Sequence, residues 1–135
     1  MLLDTGPLVA ALDARDASHK RCAEAWLVLV DRCLTTQAVV TEACHLVARG
    51  RASAALPVEF LLAAEIPIVG LDLQQHQYVA HILRRYADLP MDYADATLVA
   101  LADAHRLESV FTLDRRGFAA YRRANGIGFR ILPEA

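Results

Sequence analysis

The stretch Met91–Phe118, MDYADATLVALADAHRLESVFTLDRRGF, predicts a helix that runs directly into a short buried strand. Apolar residues at positions 91, 94, 98, 101 and 102 mark the inward face of that helix, and Asp95 falls among them. An ionised carboxylate is costly to bury there unless a positive group meets it. Asp92 lies three residues earlier on the same face, and Asp114 follows the apolar run Ser109–Leu113. Acids placed in this way point to a metal ion with further ligands elsewhere in the chain.

The composition indicates a globular domain without a global basic signature. The chain has 135 residues, 56% hydrophobic and 22% charged, with a net charge of −2. A nucleic-acid partner would therefore have to meet local positive charge. Cys22, Cys33 and Cys44 lack zinc-type spacing and indicate thiols in a reducing compartment. Three residues before Asp4 are too few for a signal peptide, and no apolar run reaches membrane-spanning length. We expect a cytoplasmic protein with no membrane partner.

Short apolar runs alternate with helical patterns along the chain. The predicted strands are Met1–Leu3, Cys33–Thr36, Ile66–Leu71, Ser109–Leu113 and Phe129–Leu132, the last at an edge. The predicted helices, besides the one in the opening stretch, are Leu8–Asp13, His19–Asp31, Gln37–Arg49, Ser53–Ala64, Asp72–Tyr86 and Arg115–Ala124. Within His19–Asp31, the apolar positions 22, 23, 26, 27 and 30 predict an inward face. This order predicts an α/β fold with a short parallel sheet of about four to five strands, flanked by helices on both faces.

Four acids converge in this scheme. Asp4 and Asp114 follow strands, where sites form in parallel sheets, and Glu42 and Asp95 lie on inward helix faces. Carboxylates brought together repel one another unless a cation binds them. Oxygen ligands alone indicate a hard ion, Mg²⁺ or Mn²⁺. Such an ion acidifies a bound water and holds phosphate oxygens, which suits phosphodiester hydrolysis.

Each acid also has a structural explanation. Asp4 could cap the first helix, and Asp92 could be the favourable N-terminal charge of its helix. Glu42 could be a partly exposed helix residue, and Asp114 a loop acid. Each explanation is plausible alone, but their coincidence at one sheet edge favours a metal site. Asp92 is assigned a supporting role.

The segments LLDTGPLVAALD, TEACHLV, DYADATLVALADAHRL and VFTLDRRGF resemble the successive motifs of PIN-domain ribonucleases, particularly bacterial VapC-type toxins. The resemblance runs essentially end to end and in the order of the family. Its most specific part is the pairing of DATLVALA with FTLDRRGF. It implies a single PIN-like domain over residues 1–135.

The resemblance also implies an activity, a metal-dependent endoribonuclease that cuts single-stranded RNA and leaves a 5′-phosphate. Asp4, Asp95 and Asp114 would hold Mg²⁺ or Mn²⁺, and Glu42 would complete the shell or orient the attacking water. The positions that match supporting residues of the family are Thr5, Asp92 and Thr112. The implied partners are RNA, a second copy of the chain, and a small antitoxin that inserts into the active-site groove.

Candidate RNA contacts are less specific. Arg115 and Arg116 follow Asp114 and could hold phosphates, or be surface residues; many relatives carry other polar or acidic residues there. Arg49 is a weaker candidate. Tyr93 flanks the acids and could stack on a base.

Other functions fit less well. Haloacid-dehalogenase-like phosphatases need a second Asp two residues after the first, where this chain has Gly6. Receiver domains need a Lys near the last strands, and the one Lys here is Lys20. A PIN fold kept as a non-catalytic or orphan RNA- or protein-binding module is the remaining alternative. Degenerate members usually lose acids, whereas this chain retains all four.

Overall fold

The computed structural model describes residues 1–134, so the predicted domain boundary at 135 lies outside the described residues. The strands are β1 (Leu2–Leu3), β2 (Thr35–Thr36), β3 (Ile68–Val69), β4 (Ser109–Phe111) and β5 (Arg130–Leu132). The helices are α1 (Thr5–Leu12), α2 (His19–Leu29), α3 (Gln37–Arg49), α4 (Ala55–Ala63), α5 (Leu73–Arg85), α6 (Tyr93–His105) and α7 (Arg115–Ala120), with a 3-10 turn at Val30–Arg32. Within residues 1–134, no helix is both long and apolar enough to cross a membrane.

The strands form one short parallel sheet in the order β3-β2-β1-β4-β5. β1 pairs with β4 and β4 with β5, while β2 pairs with β3, all in parallel. A bridge between Leu2 and Leu34 joins the two groups, supported by the Leu3 amide donating to the Leu34 carbonyl at 2.9 Å. The predicted parallel sheet is confirmed, and β5 lies at its edge as predicted.

Helices cover both faces of the sheet, because successive strand side chains point to opposite sides. Leu2 and Val110 pack with α5, α6 and Phe118 in one core. Leu3 and Phe111 pack with α1, α2 and Leu61 in the other. β1, β4 and β5 thus each contribute to both cores, which explains why short apolar runs suffice to build this part of the sheet.

The final helix is shorter than predicted. The pattern predicted Arg115–Ala124, but α7 ends at Ala120. The Arg122 amide donates to the Tyr86 hydroxyl at 3.0 Å, and the Arg123 amide donates to the Ile127 carbonyl. These amides have tertiary partners instead of helical carbonyls, so the helix ends.

The prediction that Leu27 lies on the inward face of α2 was wrong. Leu27 is 84% exposed, whereas Cys22, Trp26 and Leu29 are buried. Trp26 donates from its indole to the Pro7 carbonyl at 3.1 Å and packs against Phe111. This anchor rotates the helix so that Leu29 replaces Leu27 on the buried side.

Candidate functional site

Three helices begin at the carboxyl edge of the sheet, and an aspartate caps each one. Asp4 caps α1, Asp92 caps α6 and Asp114 caps α7. Asp92 accepts from the Asp95 amide at 2.8 Å, and Asp114 accepts from the Gly117 amide at 3.0 Å. The positive ends of the helix dipoles favour negative charge here. The capping explanation for Asp4 and the helix-start explanation for Asp92 are therefore correct, whereas Asp114 caps α7 instead of being a loop acid. These caps place the three carboxylates at one edge of the sheet.

Thr112 connects Asp4 to Asp114. Its hydroxyl donates to Asp4 Oδ2 at 2.6 Å and accepts from the Asp114 amide at 2.9 Å. The other Asp4 oxygen accepts from the Thr5 amide at 2.8 Å. Since Thr112 directly follows β4, the sheet itself sets the spacing of these two acids.

Asp95 is buried on α6 and held from two sides. Its Oδ2 accepts from the Asp92 amide and from the Tyr121 hydroxyl, each at 3.3 Å. Tyr121 is fully buried just after α7. Sequence reasoning missed Tyr121: its spacing from Phe118 indicates an inward residue, but nothing in the sequence shows where its hydroxyl points.

Three of the site acids have raised pKa values. Burial is the main cause that raises the pKa of Asp4, Glu42 and Asp95 above ordinary values, and neighbouring carboxylates raise it further. The Thr5 hydroxyl, close to Glu42 but outside good hydrogen-bond geometry, partly opposes this. Within residues 1–134 the salt bridges join Arg15 to Asp13, Arg123 to Glu108 and Arg130 to Glu134. No basic side chain therefore pairs with a site acid in this part of the chain.

The chemical nature of the ligand atoms at this site suits a hard divalent cation. It consists of carboxylate oxygens, and Asp4 and Asp95 are buried without a paired cation. In the described part of the chain, however, no three acidic, histidine or cysteine side chains lie close enough to ligate one ion. Direct ligation by three of these carboxylates would therefore need side-chain rearrangement, whereas one or two carboxylates with bound waters suffice for Mg²⁺.

We expect the metal-free protein to lose stability as pH rises. Burial and the neighbouring Asp4 raise the pKa of Asp95 to about 8. The folded state therefore holds protons that the unfolded state releases near pH 4, and stability falls as pH increases from about 4 to 8. Urea unfolding in EDTA should give a free energy roughly 1–2 kcal/mol lower at pH 8 than at pH 5. Stability that stays level or rises over this range would contradict the buried, unpaired state of Asp95.

Gly117 is the second residue that sequence reasoning missed. A Cβ there would overlap Asp114 Oδ2 and lie 2.9 Å from the Tyr121 hydroxyl. The glycine therefore allows Asp114 and Tyr121 to approach the same point. The signal available in the sequence was its position three residues after Asp114, because an N-cap side chain accepts a hydrogen bond from the amide at that position.

The candidate RNA contacts differ in their surroundings. Arg116 is exposed in the first turn of α7, two residues after Asp114, whereas Arg115 donates to the Pro133 carbonyl at 2.7 Å and holds the C-terminal segment. Arg49 ends α3, about 10 Å along the helix from Glu42, and so is not brought to the acids. Tyr93 is 49% exposed and lines a cavity of about 460 Å³ beside Glu42 and Asp92.

Comparison with known families gives a consistent result. The PIN domain family model matches residues 1–124. Ribonuclease VapC26 of Mycobacterium tuberculosis is 33% identical over 135 residues, covering 98% of this chain and 100% of that protein.

Solved structures share the fold. Mycobacterium tuberculosis VapC20, described as a sarcin-ricin loop cleaving toxin, superposes with a TM-score of 0.80 at 20% identity, over 88% of this chain and 93% of that one. A toxin-antitoxin complex from Klebsiella pneumoniae matches with a TM-score of 0.60 at 19% identity, over 88% of this chain and 90% of the other. The capped acids at the sheet edge, the family match over nearly the whole length and the VapC26 relative place this chain in the PIN-domain family, among its VapC-type members.

Proposed function

We propose that this chain is a metal-dependent endoribonuclease that hydrolyses phosphodiester bonds of single-stranded RNA. The observation that carries the proposal is the pair of buried aspartates, Asp4 and Asp95, with no paired cation in residues 1–134. Burying such acids has a cost that a bound cation reverses. The family membership and the name of the VapC26 relative support ribonuclease chemistry.

In this proposal Asp4, Asp95 and Asp114 hold Mg²⁺ or Mn²⁺. When bound, such an ion would supply Lewis acidity toward a phosphate oxygen and would lower the pKa of a coordinated water. Thr112 keeps Asp4 and Asp114 in register, and Tyr121 keeps the Asp95 carboxylate turned into the site.

Glu42 is the proposed group that orients the water. It is half-buried, and burial followed by the charges of Asp92 and Asp4 raises its pKa, which makes it a better proton acceptor than an ordinary carboxylate. In-line attack at phosphorus leaves a 5′-phosphate and a 3′-hydroxyl. Arg116 is exposed in the first turn of α7, two residues after Asp114, and would hold a flanking phosphate, while Arg115 supports the C-terminal segment.

The test is cleavage of labelled RNA by the purified chain with Mg²⁺, with Mn²⁺ and with EDTA, beside Glu42→Gln. We expect cleavage only with metal, 5′-phosphate ends, and a loss of about 100-fold or more in Glu42→Gln. The substrate panel should include tRNA and rRNA fragments, and also a sarcin-ricin loop, because VapC20 is described as a sarcin-ricin loop cleaving toxin. Equal cleavage in EDTA would reject the metal mechanism. RNA binding without cleavage across the panel would favour the non-catalytic module.

We further propose that the chain is the toxin of a toxin–antitoxin pair. In this proposal residues 1–135 form one domain, and two copies of the chain act in the cytoplasm as a homodimer. The Klebsiella pneumoniae complex supports a protein partner. Besides the expected insertion into the active-site groove, the antitoxin would have a second contact. An apolar groove of about 410 Å³ between α2 and α4, bordered by the exposed Leu27, suits an amphipathic helix of such a partner. Val28 and Leu62, 70% and 68% exposed, extend this surface.

Leu27→Asp is expected to weaken antitoxin binding by about 30-fold or more, because it places a charge in an apolar groove. The measurement is affinity for the short protein encoded beside this chain's gene, by calorimetry. Leu73→Asp is the matched control, since Leu73 is 86% exposed at the start of α5, outside the groove. Equal affinities of the two variants would place the partner elsewhere.

A further inference from the structure

A cavity of about 460 Å³ opens beside the acids, between the first turns of α3 and α6. Its apolar walls include Ala38 and Ala94, and Tyr93 forms one side. The volume is in the range of small-ligand sites and large enough for one nucleobase. Glu42 and Asp92 stand at its border, so a base held here lies next to the site of the proposed hydrolysis.

Tyr93 is prepared for stacking before any ligand arrives. Its ring stacks on His76 with centroids 5.8 Å apart and planes 21° apart. Its hydroxyl pairs with His76 Nε2 at 2.6 Å. Half of Tyr93 nevertheless remains exposed. An aromatic ring held by a neighbour and open toward an apolar cavity loses little entropy when a base stacks on it.

The polar groups around the cavity are mainly hydrogen-bond acceptors. The Thr41 hydroxyl donates to the Gln37 carbonyl at 3.0 Å, so only its lone pairs remain for a ligand. Asp92 is an exposed residue whose Oδ1 caps α6, and Glu42 adds a second carboxylate. His45, also exposed at the border, can donate or accept. An occupant therefore has to present N–H donors.

We propose that this cavity binds a guanine base of the RNA next to the scissile phosphate and discriminates against uracil. Guanine presents two adjacent donors, N1–H and N2–H, which match the two oxygens of Asp92, because the oxygen that caps α6 keeps a second lone pair. Adenine and cytosine present only an amino group beside an acceptor. Uracil presents one N–H between two carbonyls, which the carboxylates repel. The placement beside the scissile bond rests on the proposed nuclease function, whereas the base preference itself can be measured by binding alone.

The first experiment uses neutral nucleosides, which cannot be cleaved and carry no phosphate. Guanosine, adenosine, cytidine and uridine are titrated into ¹⁵N-labelled chain, with amide shifts followed by NMR. We expect guanosine to bind most tightly and uridine at least about tenfold more weakly, with shifts at Thr41, His45 and Tyr93. Tyr93→Leu should weaken guanosine about tenfold, because stacking is lost, while Tyr93→Phe stays within about twofold. Equal binding of uridine and guanosine, shifts elsewhere, or equal losses in the two Tyr93 variants would overturn the proposal.

The second experiment separates this proposal from the nuclease function. Single-stranded RNAs that differ only in one base at a fixed position are cleaved with Mn²⁺, and the cut sites are mapped. Cuts beside guanine support both proposals. Guanosine binding without any cleavage leaves the base site in place and rejects the nuclease function. Cleavage that ignores the base, with no preference among nucleosides, rejects the base site and leaves the nuclease function in place.

Discussion

Asp95→Asn is expected to abolish metal-dependent RNA cleavage while making the metal-free protein more stable. The change keeps an oxygen for the Asp92 amide and the Tyr121 hydroxyl, but removes a buried charge that three other carboxylates repel. We expect kcat/KM to fall about 1,000-fold or more, since a metal contributes several kcal/mol to the transition state. At pH 8 in EDTA, the free energy of unfolding should rise by roughly 1–2 kcal/mol, or about 3–8 °C in Tm.

The measurements are RNA cleavage with Mn²⁺ and thermal melts with and without Mn²⁺. Wild-type protein should melt at higher temperature with Mn²⁺, and Asp95→Asn should lose most of that gain, because the ion binds only the folded state. Asp31→Asn is the matched control, since Asp31 is exposed in the 3-10 turn. If Asp95→Asn cleaves RNA like the wild type, Asp95 does not hold the metal. If it is less stable in EDTA, the carboxylate serves mainly as part of the helix cap.

Gly117→Ala is expected to impair both folding and cleavage. Its Cβ would overlap Asp114 Oδ2 and press on the Tyr121 hydroxyl, so either Asp114 or α7 has to move. Overpacking at a buried position of this kind costs about 1–3 kcal/mol. Because displacement of a reacting group by about 1 Å costs on the order of 100-fold in rate, we expect a loss of that size in kcat/KM.

The matched control is Gly128→Ala, where a Cβ would lie 3.2 Å from the flexible end of Arg122. This variant should keep wild-type stability within about 0.5 kcal/mol and cleave normally. Measuring urea unfolding beside kcat/KM separates the two effects of Gly117→Ala. A Gly117→Ala protein with unchanged stability and unchanged cleavage would show that Asp114 can leave its cap at no cost to the site.

Much of the fold could be predicted from local patterns. α3 was predicted over Gln37–Arg49, and the structure has those bounds, because its apolar spacing and Gly50 mark both face and end. Asp4 and Asp114 were placed at strand ends by the alternation of strands and helices, since parallel strands share their carboxyl edge. The sequence prediction was wrong where a tertiary contact sets the orientation of a helix. The hydrogen bond of Trp26 orients α2 so that Leu27 faces outward.

The sequence by itself determined the fold class, the positions of Asp4 and Asp114 after strands and the inward position of Asp95 on its helix, because these follow from local patterns. Only the tertiary structure showed that these acids cap three converging helices, that Thr112 joins Asp4 to Asp114, and that Tyr121 meets Asp95. It also showed that, within residues 1–134, the carboxylates are not close enough for three of them to ligate one ion as they stand. The physical reason is that hydrogen-bond direction and side-chain distance depend on packing between elements far apart in the chain, which no local spacing contains.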